Sequence, residues 1–158
     1  MRKLSVTMLA VGVTLLGLAA VRAFASESEQ QAHGLLTSHV LTVEQGCTSA
    51  IGLCTAGRLD GTINGDFVFT ADKLIPSDTP GVFFYTGHIV VDTSRGQVTC
   101  QDAGVFQAAP SPPGGVVDLC TIVAGTGDWA GVQGHIRIHG TFTFAEGGFS
   151  HYEGVISH

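Results

Sequence analysis

The chain has 158 residues, of which 13 are acidic and seven are lysine or arginine, so its formal net charge is −6 at pH 7. An acidic surface repels the phosphates of nucleic acids and anionic lipids, and the basic residues are dispersed along the sequence. Nucleic acids are therefore excluded as expected partners. The length suits a single domain of ordinary size.

The first 25 residues have the pattern of a secretory signal peptide. Arg2 and Lys3 precede an apolar run over residues 4–20, and Ala23-Phe24-Ala25 forms a small-x-small cleavage site. The run is slightly short for a membrane span and contains threonine and glycine, which disfavours an uncleaved anchor. Cleavage would leave four basic residues against 13 acidic ones, a formal charge of −9. We therefore expect an exported protein, secreted or periplasmic, that is not anchored in a membrane after cleavage.

After this segment, residues 26–34 are polar and are predicted to form a flexible tail. From residue 35 onward, β-branched and aromatic residues recur in runs separated by Gly, Pro, Asp and Asn, and no helical period extends beyond two turns. The pattern predicts one all-β domain over residues 35–158. The expected strands are Leu35–Val43, Arg58–Thr70, Val82–Asp92, Gln97–Gln107, Val116–Ala124, His135–Phe144 and Phe149–Ser157.

The sixth of these strands shows the clearest alternation. Ile136, Ile138 and Phe142 share one face, and His135 and Arg137 lie on the other, so one face is apolar and one is solvated. Antiparallel strands of ~9–12 residues are long enough to close a barrel around one small ligand, and closure removes exposed strand edges. We therefore predict an antiparallel closed β-barrel of seven to eight strands, of the calycin type.

All four cysteines lie in the part expected to be exported, so two disulfides are predicted. Of the three connectivities, we favour Cys47–Cys54, which closes a short loop, with Cys100–Cys120, which joins the two arms of a hairpin. A structural zinc site is the alternative, but the sequence has no paired CxxC spacing. We expect neither a metal nor a cofactor.

Three glycine-containing segments follow one another in a distinctive order. They are Gly87-His88-Ile89-Val90-Val91, the strand from Gly96 that carries Asp102-Ala103-Gly104-Val105-Phe106, and Gly125-Thr126-Gly127-Asp128-Trp129-Ala130-Gly131 with Gly134. Over about residues 58–156 this order resembles the allene oxide cyclase barrel group, to whose superfamily the plant dirigent proteins belong. The resemblance is greatest to small exported bacterial members of unassigned function. It implies an eight-stranded barrel, often trimeric in plants, whose lumen binds an apolar small molecule and steers its cyclisation or coupling without a cofactor.

Polar residues on otherwise apolar strand faces are the candidates for chemistry in such a lumen. Asp102 shares its face with Phe106, and a desolvated carboxyl group there would act as an acid or base near neutral pH. The alternative is that Asp102 caps a bulge or accepts hydrogen bonds from backbone N–H groups beside Gly104. His88 is the second catalytic candidate, as a proton shuttle, and the alternative is a hydrogen-bonded or rim-exposed histidine without a catalytic role. The side chains expected to contact a ligand are Phe67, Phe69, Phe84, Tyr85, Phe106, Phe142 and Tyr152.

A histidine pair on the sixth predicted strand is a candidate for a metal site. His135 and His139 project from the same face, but two ligands do not make a site, and a third would have to be His151 or Glu153. Arg137 lies between them and would repel a cation. We favour a solvated face over a metal centre.

Three functions are consistent with these features. The first is a barrel that binds an apolar or amphipathic small molecule in its lumen without catalysis. The second is a cofactor-free cyclase, isomerase or dirigent-like coupling guide. The third is a structural or interaction protein whose lumen is filled by phenylalanine side chains. An aromatic face on the outside of the barrel would favour a homo-oligomer such as a trimer.

Overall fold

The computed structural model describes residues 28–108 and 113–158. Its strands are β1 (Gln30–Leu41), β2 (Cys54–Gly61), β3 (Gly65–Pro76), β4 (Val82–Thr93), β5 (Gly96–Gln107), β6 (Gly114–Gly125), β7 (Gln133–Thr143) and β8 (Gly147–Ser157). Each strand pairs antiparallel with the next, and β1 pairs with β8, so the sheet closes. Single-turn 3-10 helices, Val43–Gln45 and Gly127–Trp129, follow β1 and β6. The prediction of an all-β closed barrel is confirmed, with eight strands.

The strand predicted over residues 58–70 is divided in two. β2 ends at Gly61 and β3 begins at Gly65, because Gly61 adopts a positive φ of 150° that turns the chain. Within this turn Ile63 points into the barrel and is 1 % exposed. Alternation alone does not reveal the turn, because Ile63 continues the alternating pattern of apolar residues that Phe67 and Phe69 follow.

The flexible tail predicted over residues 26–34 is wrong for residues 30–34, which belong to β1. Gln30 pairs with Ile156 at the far end of β8, and the Ala32 side chain is 1 % exposed. The first strand therefore begins at Gln30, and its pairing with β8 closes the barrel. The predicted signal peptide, residues 1–25, lies outside the described residues. Among those described, no helix has the length and apolar character to cross a membrane.

Both predicted disulfides are confirmed. Cys47 in the β1–β2 connection is bonded to Cys54 at the start of β2, with a Cα–Cα distance of 5.5 Å. Cys100 and Cys120 join the neighbouring strands β5 and β6 over a Cα–Cα distance of 5.4 Å. Both of these cysteines face inward and are almost fully buried. The second disulfide thus forms part of the inner wall of the barrel.

Side chains fill one end of the barrel, which we call the closed end and which carries the β2–β3, β4–β5 and β6–β7 connections. Trp129, in the β6–β7 connection, is 3 % exposed, and its Nε1 donates a hydrogen bond to Thr93 Oγ1 at 3.0 Å. The Tyr152 hydroxyl accepts from the Ile63 backbone N–H at 3.0 Å and donates to the Ile63 carbonyl at 2.9 Å. The glycine-rich segment 125–134 therefore seals this end.

Candidate functional site

An internal cavity lies between the closed end and the opposite end, which we call the loop end and which carries the other four connections. The volume of the cavity is about 80 Å³, several times the ~10–15 Å³ that one water needs. All eight strands contribute to its walls, which are mostly apolar. Its aromatic lining consists of Phe67, Phe69, Tyr85, Phe106 and Phe142.

Three polar side chains reach this cavity from the adjacent strands β4, β5 and β6. They are Tyr85, Asp102 and Asp118. In the sheet register Tyr85 lies opposite Gly104, and Gly104 lies opposite Asp118 on the other side. The Tyr85 hydroxyl donates a hydrogen bond of 2.6 Å to Asp118 Oδ2. We call these three side chains the carboxyl cluster.

Gly104 makes the hydrogen bond in the carboxyl cluster sterically feasible. A Cβ atom at this position would lie 2.5 Å from Asp118 Cβ and 2.7 Å from the Tyr85 hydroxyl oxygen. Those distances are shorter than van der Waals contact, so any larger residue would push Tyr85 and Asp118 apart. The glycine is needed for the close approach of two functional side chains.

Three carboxyl oxygens of the carboxyl cluster lack a hydrogen-bond partner among the described residues. Asp102 is 1 % exposed, yet both of its carboxyl oxygens lack a hydrogen-bond partner among the described residues. Within the same part of the chain, Asp118 Oδ1 is also buried and unpartnered. Most buried side-chain oxygens in folded proteins are hydrogen-bonded, because desolvating them otherwise costs ~1–3 kcal/mol or more. Three such oxygens at one cavity mark a place where a bound molecule or an ordered water can supply the missing partners.

Burial raises the pKa of both carboxyl groups, and the pKa of Asp102 is raised further than that of Asp118. Desolvation, followed by repulsion from Asp118, raises the pKa of Asp102 to about 8. Desolvation also raises the pKa of Asp118, to about 6, and the hydrogen bond from Tyr85 opposes that rise. The pKa of Tyr85 itself is raised, first by burial and then by the nearby aspartates, so its hydroxyl stays protonated. Near pH 7 the two carboxyl groups hold one proton, mainly on Asp102.

This arrangement has two chemical capabilities. A protonated Asp102 can donate a hydrogen bond or a proton to a ligand oxygen, and an ionised Asp118 can accept one. The pair also carries a negative charge in an apolar cavity, which attracts a cation and repels an anion. Both capabilities depend on the low polarity of the surrounding aromatic walls.

Five of the seven predicted contact residues line the cavity, and Asp102 lies among them. Tyr152 does not: its ring is 1 % exposed, and its hydroxyl is bound to the backbone of Ile63 at the closed end. Tyr152 is therefore a packing residue of the barrel floor. The interpretation of Asp102 as a bulge cap is not supported, since the register shift between β5 and β6 lies between Thr99 and Cys100. Nor does its carboxyl group accept a hydrogen bond from the described backbone.

His88 and Phe84 lie on the outside of the barrel, which corrects their prediction as lumen residues. On β4 the inward positions are 85, 87, 89 and 91, so the even-numbered side chains face solvent. Phe84 is 51 % exposed, and His88 Nδ1 lies 3.5 Å from Asp72 Oδ1. The apolar residues at both parities of β4 concealed which face was the inner one.

Asp118 was missed by the sequence analysis. It shares its inward face with Cys120 and Ile122, which alternation could have shown. The outward residues Val117 and Leu119 are apolar as well, although they are 54 % and 45 % exposed. With apolar residues on both faces, the one polar residue between them was easily read as a surface position.

The histidines considered as metal ligands lie on the outer surface. His139 and His151 are opposite each other on β7 and β8, with ring centroids 5.9 Å apart. Arg137 beside them forms an ion pair with Glu153 at 2.8 Å. No group of three or more potential metal ligands occurs within residues 28–108 and 113–158.

Comparisons with known proteins add a distant structural likeness. The sequence matches no protein-family model and no curated protein. Among solved structures, the pterocarpan synthase dirigent protein GePTS1 aligns over 98 % of this chain and 99 % of its own, with 16 % identity and a TM-score of 0.37. This likeness is too distant to transfer a site or a reaction. The barrel architecture rests on the strand pairing of this chain.

Proposed function

We propose that the barrel binds a small apolar or amphipathic molecule in its lumen and holds a polar group of that molecule at the carboxyl cluster. The observation that carries the proposal is Asp102, a buried carboxyl group whose two oxygens have no partner among the described residues and which lines the cavity. Aromatic walls with a few convergent polar groups are typical of small-molecule sites.

The cost of burying Asp102 supports a ligand over a purely structural role. A leucine of similar size would fill the same place in the mostly apolar cavity wall without desolvating a carboxyl group. The remaining internal space argues in the same direction, because a barrel filled only for stability would leave no cavity of this size. We also propose that the protein works outside the cytoplasm, since two disulfides are typical of exported proteins.

The binding proposal is tested with 2-phenylethanol, a neutral molecule with one aromatic ring, in an NMR titration of the protein. We expect saturable shifts at residues that line the cavity. Phe142→Ala, which removes a wall of the cavity, should weaken binding at least about fivefold, a change of ~1 kcal/mol. Phe84→Ala is the matched control on the outer face and should leave the affinity unchanged. If Phe84→Ala weakened binding and Phe142→Ala did not, the ligand would bind the outer face, and the proposal would be overturned.

A second candidate function, cofactor-free acid–base catalysis, is favoured by the difference in pKa between the two carboxyl groups. Ionised Asp118 can remove a proton from the carbon next to a ligand carbonyl while protonated Asp102 gives its proton to the carbonyl oxygen. The product is the enol, and the two carboxyl groups exchange protonation states, so atoms and charge balance. A cyclase or isomerase could use this step.

The catalytic candidate is tested by deuterium exchange into 2-tetralone in D₂O, followed by NMR. The unmodified protein should accelerate exchange, and Asp102→Asn and Asp118→Asn should each reduce that acceleration by ~100-fold. The outer-face variant Phe84→Ala should match the unmodified protein. Exchange at the rate of buffer alone would refute catalysis and leave the binding proposal standing.

A further inference from the structure

The cavity carries charge of one sign. Two carboxyl groups line it, and no lysine, arginine or histidine does so among the described residues. Residues 109–112, which complete the β5–β6 connection, are Ala-Pro-Ser-Pro and add no basic side chain. The lysine and arginine residues beyond the predicted signal peptide are all exposed on the outside of the barrel. They are Arg58, Lys73, Arg95 and Arg137.

Three of these four basic residues form ion pairs with exposed carboxylates that do not line the cavity. Arg95 pairs with Asp128 at 3.2 Å, and Arg137 pairs with Glu153 at 2.8 Å. Arg58 pairs with two exposed aspartates on the outer face of β2 and β3. The carboxyl cluster therefore receives no positive charge from the described part of the chain. Buried carboxylates are usually paired with a cation or with hydrogen-bond donors.

The aromatic walls would add to the attraction of a cation. The ring centroid of Tyr85 lies 5.5 Å from that of Phe69 and 6.0 Å from that of Phe106, so three rings surround the same region. An alkylammonium group within ~6 Å of such rings gains ~0.5–2 kcal/mol from each suitable face. When both carboxyl groups are ionised, their three unpartnered oxygens accept hydrogen bonds, which an ammonium group with up to three N–H donors can supply.

We infer that the cavity takes a small apolar molecule that carries a protonated amine, with the ammonium group on Asp102 and Asp118 and the apolar part against the aromatic walls. This inference rests on the proposed binding function and specifies the class of ligand. It also implies discrimination: a neutral alcohol of the same shape binds more weakly, and a carboxylate is repelled.

Within residues 28–108 and 113–158, the titratable groups that line the site come from three strands. Tyr85 on β4, Asp102 on β5 and Asp118 on β6 line the cavity. The other strands contribute hydroxyl groups, which do not titrate in the accessible range, namely Ser38, Thr55, Thr141 and Ser150. Amine binding should therefore strengthen from pH 5 to pH 8 as the two carboxyl groups ionise, because an alkylamine stays protonated over that range.

The test is a calorimetric titration of the full exported chain with three molecules of matched shape: 2-phenylethylamine, 2-phenylethanol and phenylacetate. At pH 7.5 the amine should bind at least tenfold more tightly than the alcohol, a difference of ~1.4 kcal/mol, and phenylacetate should not bind. The preference for the amine should increase towards pH 8, whereas the affinity of the alcohol should stay constant.

Variants separate a specific site from general attraction to an acidic protein. Asp118→Asn should reduce the amine preference to less than threefold while 2-phenylethanol still binds, which shows that the barrel is intact. Asp66→Asn removes a carboxyl group that is 82 % exposed on the outer face and should leave the preference unchanged. Equal loss in both variants would overturn the inference.

The remaining outcomes distinguish the two proposals. If the alcohol binds as tightly as the amine, the cationic ligand class is refuted and lumen binding stands. If none of the three molecules binds, the cavity does not admit a single aromatic ring, and both proposals are refuted. If phenylacetate binds best, the carboxyl cluster acts as a proton donor to an anion, and the cationic class is refuted.

Discussion

Replacing Asp102 with asparagine should change how the stability of the barrel depends on pH. The folded protein keeps the Asp102 proton up to about pH 8, whereas an unfolded chain releases it near the ordinary value of 3.8. Between these limits the folded state binds more protons, so raising the pH favours unfolding. The stabilisation is complete below the unfolded pKa and is lost as the pH rises through the folded pKa.

The expected magnitude follows from the size of this interval. Each pH unit within the window costs about 1.4 kcal/mol of unfolding free energy. Between pH 5 and pH 8 the unmodified protein should therefore lose about 4 kcal/mol relative to Asp102→Asn, whose side chain does not ionise. An asparagine amide without partners adds a penalty that does not vary with pH, so the slope, and not the absolute stability, is the quantity to compare.

Urea titrations at half-unit steps from pH 5 to pH 8.5 measure this slope. Asp66→Asn is the control, because its exposed carboxyl group should contribute less than ~1 kcal/mol at any pH. Asp118→Asn should keep most of the slope and shift it to lower pH, since desolvation of Asp102 outweighs repulsion from Asp118. Parallel pH profiles for the unmodified protein and Asp102→Asn would refute the raised pKa of Asp102.

Three further changes test other parts of the structure. Tyr85→Phe removes the hydrogen bond that lowers the pKa of Asp118, so the NMR titration midpoint of that carboxyl group should rise; an unchanged midpoint would contradict the bond. Replacing Cys100 and Cys120 together by alanine opens a bridge across 20 residues, which should cost about 3 kcal/mol in urea titrations, and equal stability would argue against the bridge. Trp129→Ala should lower the free energy of unfolding by about 3–5 kcal/mol in the same assay, whereas truncating an exposed side chain changes it very little. A loss below ~1 kcal/mol would show that the indole does not seal the closed end.

The sequence determined the architecture because strand alternation and glycine-rich turns are local signals. Ile136 and Ile138 face inward as predicted, and the all-β closed barrel follows from many such short-range patterns. The disulfides were also predictable, since four cysteines allow few pairings and the β5–β6 hairpin brings Cys100 and Cys120 close together. Asp102 was identified because its neighbours on the same face of β5 are apolar.

Only the tertiary structure decided which side of each strand faces the lumen when both sides are apolar. His88 and Phe84 lie outside and Asp118 lies inside, because the register around the closed barrel fixes the inner face of β4 and β6 together. The bond between Tyr85 and Asp118 joins residues 33 positions apart and depends on a glycine on the strand between them. Such proximity is a property of the closed sheet, and no local pattern in the sequence encodes it.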